Sequence, residues 1–275
     1  MSAKFGATIG FERRFNPALQ CGSRDEFVHF MTDNLPPRPA NMLHIVRVNQ
    51  GRAPYSLTDP QAAPLDPFHV EELIEAGAIV IDARSPAQFG AGHIVGSLNA
   101  PGSSGQFEQY VGWTVPPDPP LILVTDDESR VGGLLRKLAF VGLDGRVAGY
   151  LEGGMGAWRG TGKPLARLAQ ISVRDLYTRR LSETVPVLDV REASEWAAGR
   201  IPGALNRSYR ELGAAGVALP FEMDRLLAVV CAGGVRSSLA ASLLLRAGYV
   251  QTINVVEGTD GWRRAGLPLE CQVGT

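Results

Sequence analysis

An internal repeat is the feature that most constrains how this chain of 275 residues can fold. The segment 82–99 aligns with the segment 189–206 without a gap, so that each residue is matched by the one 107 positions later. The segments Glu152–Trp158 and Glu257–Trp262 repeat in the same order. Self-similarity of this length indicates one domain present twice in tandem. We therefore divide the chain into an N-terminal extension with a linker, 1–65, a first copy, 66–168, and a second copy, 169–275.

Each copy alternates short apolar strands with helices. In the second copy, the stretch 226–230 reads as a buried strand, and 237–247 reads as a helix whose Leu239, Leu243 and Leu244 face inward. Near-continuous apolar strands between helices are typical of a parallel sheet that is covered on both faces. The predicted fold class is α/β, with two tandem domains that each form a mainly parallel sheet flanked by helices on both faces. A chain of this length can bury two such cores.

The first 65 residues have a different pattern. Apolar spacing predicts short helices over 26–31 and 42–47, and the proline-rich stretch 52–67 is typical of a linker. We therefore expect a mostly helical N-terminal extension ahead of the two copies.

A strand, a tight loop and a helix meet around Cys231. The apolar strand is followed by Cys231-Ala-Gly-Gly-Val-Arg236, where Gly233 and Gly234 allow the backbone to turn inward without Cβ clashes. The N–H groups of residues 232–236 could then converge on the sulfur at a helix N-terminus. These donors, the helix dipole and Arg236 all favour the thiolate. The stretch predicts a cysteine nucleophile at neutral pH.

The length of this loop limits the size of the ligand that it can hold. Four residues separate Cys231 from Arg236, one fewer than in the Cys-x5-Arg loop of cysteine phosphatases. A tighter ring suits a smaller ligand, such as one additional sulfur atom on the cysteine. Together with the repeated Asp-x-Arg, Gly-x-Ile-x-Gly and tryptophan segments, the loop resembles the active loop of the rhodanese sulfurtransferases. This resemblance spans residues 66–270 approximately and implies a rhodanese fold for each copy.

The resemblance to rhodaneses also implies roles for individual residues. Cys231 would accept sulfane sulfur as a persulfide, and Arg236 would steer an anionic donor and steady the developing charge, which makes these two the catalytic candidates. The donor would be bound by the residues around the sulfur: Ala232, Gly233, Gly234, Val235 and Ser237. Ser237 and Ser238 could each donate to the sulfur or cap the helix.

Other repeated residues are interpreted as structural support. Asp189 is expected to hold the loop geometry through backbone N–H groups, and Arg191 to pair with an acid such as Glu192 or Glu195. Trp158 and Trp262, which end the second repeated segment, are expected to pack in the core.

The two copies are not equivalent at the loop. Aligning Arg130 with Arg236 puts Thr125 at the position of Cys231. The first loop has no thiol and no glycine, and its Asp126, Asp127 and Glu128 carry negative charge. We therefore predict a noncatalytic first copy that lends a wall to the active cleft.

The function implied by the resemblance is sulfur transfer from thiosulfate or a low-molecular-weight persulfide to a thiophilic acceptor such as a thiol or cyanide. One alternative is a noncatalytic persulfide carrier or a docking module of a sulfur-oxidation system. Another is a small cysteine phosphatase or arsenate reductase, which would use the same cysteine-loop physics but for which this loop is one residue short.

The extension carries a resemblance of its own. Residues 8–19 and 35–49 resemble the closing segment of metallo-β-lactamase-fold proteins related to persulfide dioxygenases, some of which continue into rhodanese domains. This implies a persulfide dioxygenase of that fold as a candidate partner. The His-x-His-x-Asp-His cluster of that fold does not occur among the histidines of this chain, so we predict no metal and no cofactor.

Composition excludes several other classes of function. The formal net charge of −1 gives no indication of binding to nucleic acid or to an anionic membrane surface. No apolar run reaches the roughly 18 residues of a membrane span. The three cysteines, Cys21, Cys231 and Cys271, are too widely spaced for a disulfide framework and fit a reducing compartment. The N-terminus has no signal-peptide core, so we expect a cytoplasmic protein.

Overall fold

A computed structural model describes residues 6–33, 38–52, 58–214 and 218–271. Residues 1–38 and 39–275 form two compact units, and both copies of the repeat lie in the second unit. Part of the predicted linker, 53–57, lies outside the described residues, as does the start of the segment 35–49.

The first unit contains helices α1 (Ile9–Phe15) and α2 (Arg24–Thr32), joined by a 3₁₀ turn at Pro17–Gln20. Helix α2 begins where the Ser23 hydroxyl accepts a hydrogen bond from the N–H of Glu26 at 3.1 Å, and it covers the helix predicted over 26–31. Neither α1 nor α2 buries a residue.

The second unit begins with helix α3 and continues into the first copy. The elements, in chain order, are α3 (Met42–Asn49), β1 (Ala63–Leu65), α4 (Pro67–Glu75), β2 (Ile79–Asp82), α5 (Pro86–Ala91), β3 (His93–Ile94), β4 (Leu98–Asn99), α6 (Phe107–Thr114), β5 (Leu121–Val124), α7 (Val131–Ala139), β6 (Val147–Leu151), α8 (Gly154–Gly160) and β7 (Leu165–Ala166).

The second copy has a matching series of elements. They are β8 (Ala169–Ile171), α9 (Val173–Ser182), β9 (Val187–Asp189), α10 (Ala193–Ala197), β10 (Leu205–Asn206), α11 (Tyr209–Ala214), β11 (Leu227–Val230), α12 (Val235–Arg246), β12 (Thr252–Val255) and α13 (Gly258–Arg264).

Each copy forms a five-stranded parallel sheet, and the two sheets have the same strand order. The first is β1-β6-β5-β2-β4, and the second, read in the corresponding direction, is β8-β12-β11-β9-β10. The central strands β5 and β11 are buried along their whole length, because helices cover both faces. The predicted α/β class with two tandem domains is confirmed.

The interpretation of residues 52–67 as a linker is wrong at its end. Strand β1 pairs in parallel with β6, with Ala63 opposite Gly149 and Leu65 opposite Leu151. Pro64 is tolerated because β1 is the edge strand of its sheet, where a missing N–H breaks no ladder. A three-residue strand containing a proline has no apolar run to predict it.

The two copies share one hydrophobic core. Residues from the facing sides of both sheets belong to a single cluster, while the outer face of each sheet has a smaller cluster of its own. Tyr110 of α6 and Tyr209 of α11 meet edge to face within the shared cluster, with ring centroids 5.6 Å apart. The predicted burial of Leu239, Leu243 and Leu244 on α12 is confirmed. This shared core brings α6 of the first copy beside the Cys231 loop of the second.

A buried Asp–Arg pair follows the second strand of each copy. Arg191 donates from Nε and Nη2 to the Asp189 carboxylate, and also to the carbonyl of Gly199 at 2.8 Å. The expectation that Arg191 pairs with Glu192 or Glu195 is therefore wrong. Asp189 accepts the backbone N–H of Arg191 at 3.1 Å, so it supports the turn that follows its own strand. Asp189 and Arg191 are close in sequence and are buried together. Because the Asp189 carboxylate compensates the charge of the buried guanidinium, Arg191 does not need a second acid as a partner.

The first copy has the same frame. Arg84 binds Asp82 through Nε and Nη2 and donates to the carbonyl of Gly92 at 3.0 Å. Trp158 and Trp262 are buried as expected, and each indole N–H donates to a proline carbonyl six residues later. The buried Asp–Arg pair and the buried tryptophan are thus equivalent in the two copies.

Within the described ranges, none of the helices combines the length and the apolar character that a bilayer-crossing segment needs.

Candidate active site

Cys231 lies at the carboxyl end of the central strand β11. The strand ends at Val230 and helix α12 begins at Val235, so the connecting loop has four residues. Ligands of parallel α/β sheets bind beyond the carboxyl ends of the strands. The helix begins two residues before the predicted Ser237, because Gly234 serves as its N-cap.

Gly234 is the glycine that the loop requires. Its φ of +91° lies in the left-handed region, and a Cβ there would come 2.1 Å from the carbonyl oxygen of Val256. A Cβ on Gly233 would meet nothing within 4 Å. The prediction that both glycines serve the turn therefore holds for Gly234 alone.

The N-terminus of α13 supports the loop from below. The N–H of Thr259 donates to the carbonyl of Cys231 at 2.7 Å, and the N–H of Asp260 donates to the carbonyl of Ala232 at 3.0 Å. Gly258, at φ +59°, allows this approach, because a Cβ there would lie 2.3 Å from both carbonyl oxygens. This support was not predicted from the sequence, although the repeated segment Glu257–Trp262 was a signal for it.

Two polar groups contact the sulfur of Cys231. The N–H of Gly234 donates to Sγ at 3.1 Å, and the hydroxyl of Ser237 lies 3.4 Å from Sγ. Of the five loop amides expected to converge, Gly234 is the one whose N–H contacts the sulfur among the described residues. Both groups lie beneath the sulfur, on the side of α12.

The serines do not cap the helix. The N-cap, Gly234, has no side chain, and both serines lie inside the first turn of α12, past the position from which a side chain can cap. Ser237 contacts the sulfur, and Ser238 donates to Oδ1 of Asn99 in the first copy at 2.6 Å. The capping alternative is therefore wrong for both residues.

Arg236 is held by Glu195. Its Nη1 and Nη2 each donate to one carboxylate oxygen of Glu195 at 2.7 Å, which is a bidentate pair. These hydrogen bonds lower the pKa of Glu195, and they raise the pKa of Arg236 above its ordinary value. Glu195 was predicted as a partner of Arg191 and was not predicted as a site residue. It comes from helix α10, which the sheet brings next to α12.

Residues of both copies, Cys231 among them, line a cavity of about 430 Å³. The second copy contributes the residues around the sulfur and the Arg236 pair, and the first copy contributes one face of α6; the lining residues are Gln106, Tyr110, Glu195, Cys231, Ala232, Gly233, Val235 and Arg236. Only 1% of Cys231 is exposed, yet it lines this open cavity. Gly234 and Ser237 do not line the cavity, because they contact the sulfur from beneath.

The first copy contributes Tyr110 as a neutral polar group. Its hydroxyl donates to Oε1 of Gln106 at 2.9 Å. Burial raises the pKa of Tyr110 above its ordinary value of 10.0, so the phenol keeps its proton at neutral pH. Sequence reasoning missed Tyr110 and Gln106, since neither lies in a repeated motif.

In the corresponding loop of the first copy, the polar side chains accept hydrogen bonds from nearby residues of the same copy. Oγ1 of Thr125 accepts the N–H of Asp127 at 3.2 Å, and a carboxylate oxygen of Glu128 accepts the N–H of Gly153 at 2.7 Å. Asp126 accepts a hydrogen bond from Gln88 at 2.9 Å. Across the described ranges, no three or more His, Cys, Asp or Glu side chains converge in a way that could hold a metal ion.

Comparison with known proteins gives one family for both copies. The rhodanese-like domain family matches residues 67–161 and 172–265, which is more than half of the chain. Thiosulfate sulfurtransferase GlpE of Actinobacillus succinogenes is 34% identical over 96 residues, which cover 34% of this chain and 82% of that protein. A protein named sulfurtransferase from Allochromatium vinosum is 34% identical over 94 residues, covering 34% of this chain and 86% of that protein.

Among solved structures, a rhodanese-related protein from Thermoplasma volcanium is 31% identical and covers 37% of this chain and 97% of that chain, with a TM-score of 0.33. The family match begins at residue 67. The resemblance of the extension to metallo-β-lactamase-fold proteins stays a prediction.

Proposed function

Because the chain belongs to the rhodanese family, we propose that it is a sulfurtransferase. It would move sulfane sulfur from thiosulfate or a low-molecular-weight persulfide to a thiophilic acceptor, through a persulfide on Cys231. One observation carries this proposal: Cys231 lines a cavity at the end of the central strand, and the N–H of Gly234 lies 3.1 Å from its sulfur. The names of the two relatives above agree with it.

The first half-reaction charges the enzyme. The Cys231 thiolate attacks the outer sulfur of the donor, a new S–S bond forms, and the donor's own bond to that sulfur breaks. The leaving group, sulfite or a thiolate, departs with the electron pair. The N–H of Gly234 and the hydroxyl of Ser237 would stabilise negative charge on the cysteine sulfur before attack.

The second half-reaction returns the enzyme to its starting state. A thiolate or cyanide attacks the outer sulfur of the Cys231 persulfide, and Cys231 leaves as the thiolate that the same two donors stabilise. Because the enzyme is covalently modified between the two steps, ping-pong kinetics are expected. The first copy has no thiol in its loop, and its part would be to form the wall of the cavity with Gln106 and Tyr110.

Mass spectrometry of the intact protein tests the proposal. After incubation with thiosulfate or glutathione persulfide, we expect one added sulfur on wild-type protein and none on Cys231→Ser. The added sulfur should disappear when cyanide or a thiol is supplied, and repeated cycles should give catalytic turnover.

Two other outcomes have distinct meanings. Wild-type protein that gains no sulfur from either donor contradicts sulfur transfer through Cys231. A persulfide that forms but is not released to small acceptors favours the alternative of a persulfide carrier, and contradicts the enzyme.

A further inference from the structure

Apart from the sulfur, the charged side chains that line the Cys231 cavity balance one another. Of the side chains that line it, Arg236 is positive, Glu195 is negative, and Gln106 and Tyr110 are neutral. The hydrogen bonds from Arg236 lower the pKa of Glu195, so the carboxylate stays ionised at neutral pH. With Cys231 present as the thiolate, the lining as a whole is negative.

The pairing geometry compensates the positive charge of Arg236. Both Nη atoms donate to Glu195 at 2.7 Å, and Oε2 of Glu195 also accepts the N–H of Glu192 at 3.1 Å. The two side chains are 17% and 35% exposed, so solvent screens the pair only in part. An anionic donor that approaches the remaining N–H groups of Arg236 also meets the negative charge of a carboxylate that is anchored to α10.

We infer that Glu195 determines donor specificity, by making the cavity select sulfane sulfur carried on organic thiols over dianionic donors such as thiosulfate. This inference rests on the proposed function. It assigns Glu195 a role through Arg236, and it does not require Glu195 to touch the reacting sulfur.

The balance of charge in the two reactions gives the physical reason. With an organic hydropersulfide, Cys–S⁻ and RS–SH give Cys–S–SH and RS⁻, so one negative charge is present throughout and the outer sulfur keeps its proton. With thiosulfate, Cys–S⁻ and S–SO₃²⁻ give Cys–S–S⁻ and SO₃²⁻, and three negative charges meet in the cavity. Without an unpaired cation, their mutual repulsion raises the free energy of the encounter.

The first copy shows that the fold accepts an uncharged residue at this position. Gln88 is the counterpart of Glu195 in the repeat. Gln88 Oε1 accepts the N–H of Ser85 at 3.1 Å, the same helix-start contact that Glu195 makes with the N–H of Glu192. Glu195→Gln therefore removes the charge and retains the contact that begins α10.

The experiment compares two donors that differ mainly in one charge. Thiosulfate is a dianion, and the methanethiosulfonate anion has a methyl group in place of one oxygen; attack on its outer sulfur releases methanesulfinate with the electron pair. Cyanide is the common acceptor. In the wild type we expect kcat/KM to be lower for thiosulfate than for methanethiosulfonate and for glutathione hydropersulfide, by about tenfold or more.

Glu195→Gln should raise kcat/KM for thiosulfate about tenfold, chiefly through KM, and change the value for glutathione hydropersulfide by less than about threefold. The matched control is Glu192→Gln, which removes the same charge from the same helix start but faces Arg210; it should leave both donors unchanged. Added KCl should lower the thiosulfate rate of Glu195→Gln and not that of the wild type, because salt weakens attraction between an anion and an unpaired arginine. A purely structural role for Glu195 would not produce this salt dependence.

The inference is overturned if wild-type protein prefers thiosulfate to methanethiosulfonate, or if Glu195→Gln leaves the ratio of the two unchanged. If the variant does not fold, the salt dependence of the wild type still tests the inference. A wild-type thiosulfate rate that falls steeply with added KCl would show an unpaired cation and overturn the inference. If no donor adds a sulfur to Cys231, the proposed function itself fails, which is a separate result.

Discussion

After the central strand of the second copy comes a cysteine that lines a cavity, whereas after the central strand of the first copy comes a threonine whose hydroxyl contacts its own loop. Cys231 receives the N–H of Gly234, while Thr125 receives the N–H of Asp127. Glu128, the residue aligned with Gly234, uses its carboxylate to accept the N–H of Gly153. The polar groups of the first loop are thus bound within the first copy, whereas the second loop begins with a cysteine that lines a cavity.

The frame around the two loops is the same. In both copies a buried Asp–Arg pair follows the second strand, and an asparagine, Asn99 or Asn206, donates to the carbonyls of that pair. The comparison teaches that the frame positions a loop, and that the residues of the loop decide whether it can react.

The largest expected effect is a loss of sulfur-transfer activity on substitution in the second loop, with almost no loss on substitution in the first. Cys231→Ser should lower kcat/KM for sulfur transfer by roughly a thousandfold or more, because the nucleophile is lost. Thr125→Ala should change it by less than about twofold, because that side chain faces its own loop. Steady-state assays with cyanide as acceptor measure both, and circular dichroism checks folding. A large loss in a folded Thr125→Ala protein would contradict an idle first copy.

The next prediction concerns the glycines of the active loop. Gly234→Ala should reduce the free energy of unfolding by about 2–4 kcal/mol, because it adds strain at a left-handed φ and a clash with Val256. Gly233→Ala is the control and should cost about 0.5 kcal/mol or less, because space surrounds that position. Urea unfolding measures both changes. Equal losses in the two variants would show that the loop has a different backbone conformation.

The asparagines of the repeated frame should differ by a smaller amount. Asn99 and Asn206 each donate to two carbonyls, but Asn99 also accepts from Ser238 at 2.6 Å across the contact between the copies. Asn99→Ala should therefore destabilise the protein by about 1–2 kcal/mol more than Asn206→Ala. A double-mutant cycle of Asn99→Ala with Ser238→Ala, followed by urea unfolding, isolates this bond. A coupling free energy near zero would remove it as a link between the copies.

The smallest effect is a pH dependence that only the first copy carries. His93 is buried against Phe89, and burial lowers its pKa below the ordinary value of 6.5. The unfolded chain then binds more protons than the folded protein below about pH 6.5, so stability is complete above that pH and is lost as the pH falls toward the lowered pKa. We expect a loss of about 1 kcal/mol between pH 7.5 and 5.5 by urea unfolding.

The control for this pH effect is His93→Gln, which cannot titrate and should flatten the dependence in that range. The counterpart of His93 in the second copy is Arg200, which stacks over Trp196. An unchanged pH dependence in His93→Gln would assign the effect to another group.

Much of the architecture follows from local sequence pattern. The repeat, the apolar strand before Cys231 and the inward leucines of α12 all depend on residues that are near one another in the chain, and periodicity reports such relations well. The loop could be recognised for the same reason, since its cysteine, glycines and arginine lie within six positions. Strand β1 was not predicted, because its three residues show no strand pattern of their own. It is a strand because it pairs with β6.

The sequence by itself determined the two α/β copies, the strand and loop that hold Cys231, and the difference between the loops of the two copies, because each depends on contiguous residues. Only the tertiary structure decided which acid meets Arg236, that Arg191 stays with Asp189, that Ser238 binds Asn99, and that Tyr110 reaches the cavity of the other copy. These contacts join residues from different elements and different copies. Their partners are selected by which strand ends lie side by side and by how the shared core packs, and neither is a property of any single stretch of chain.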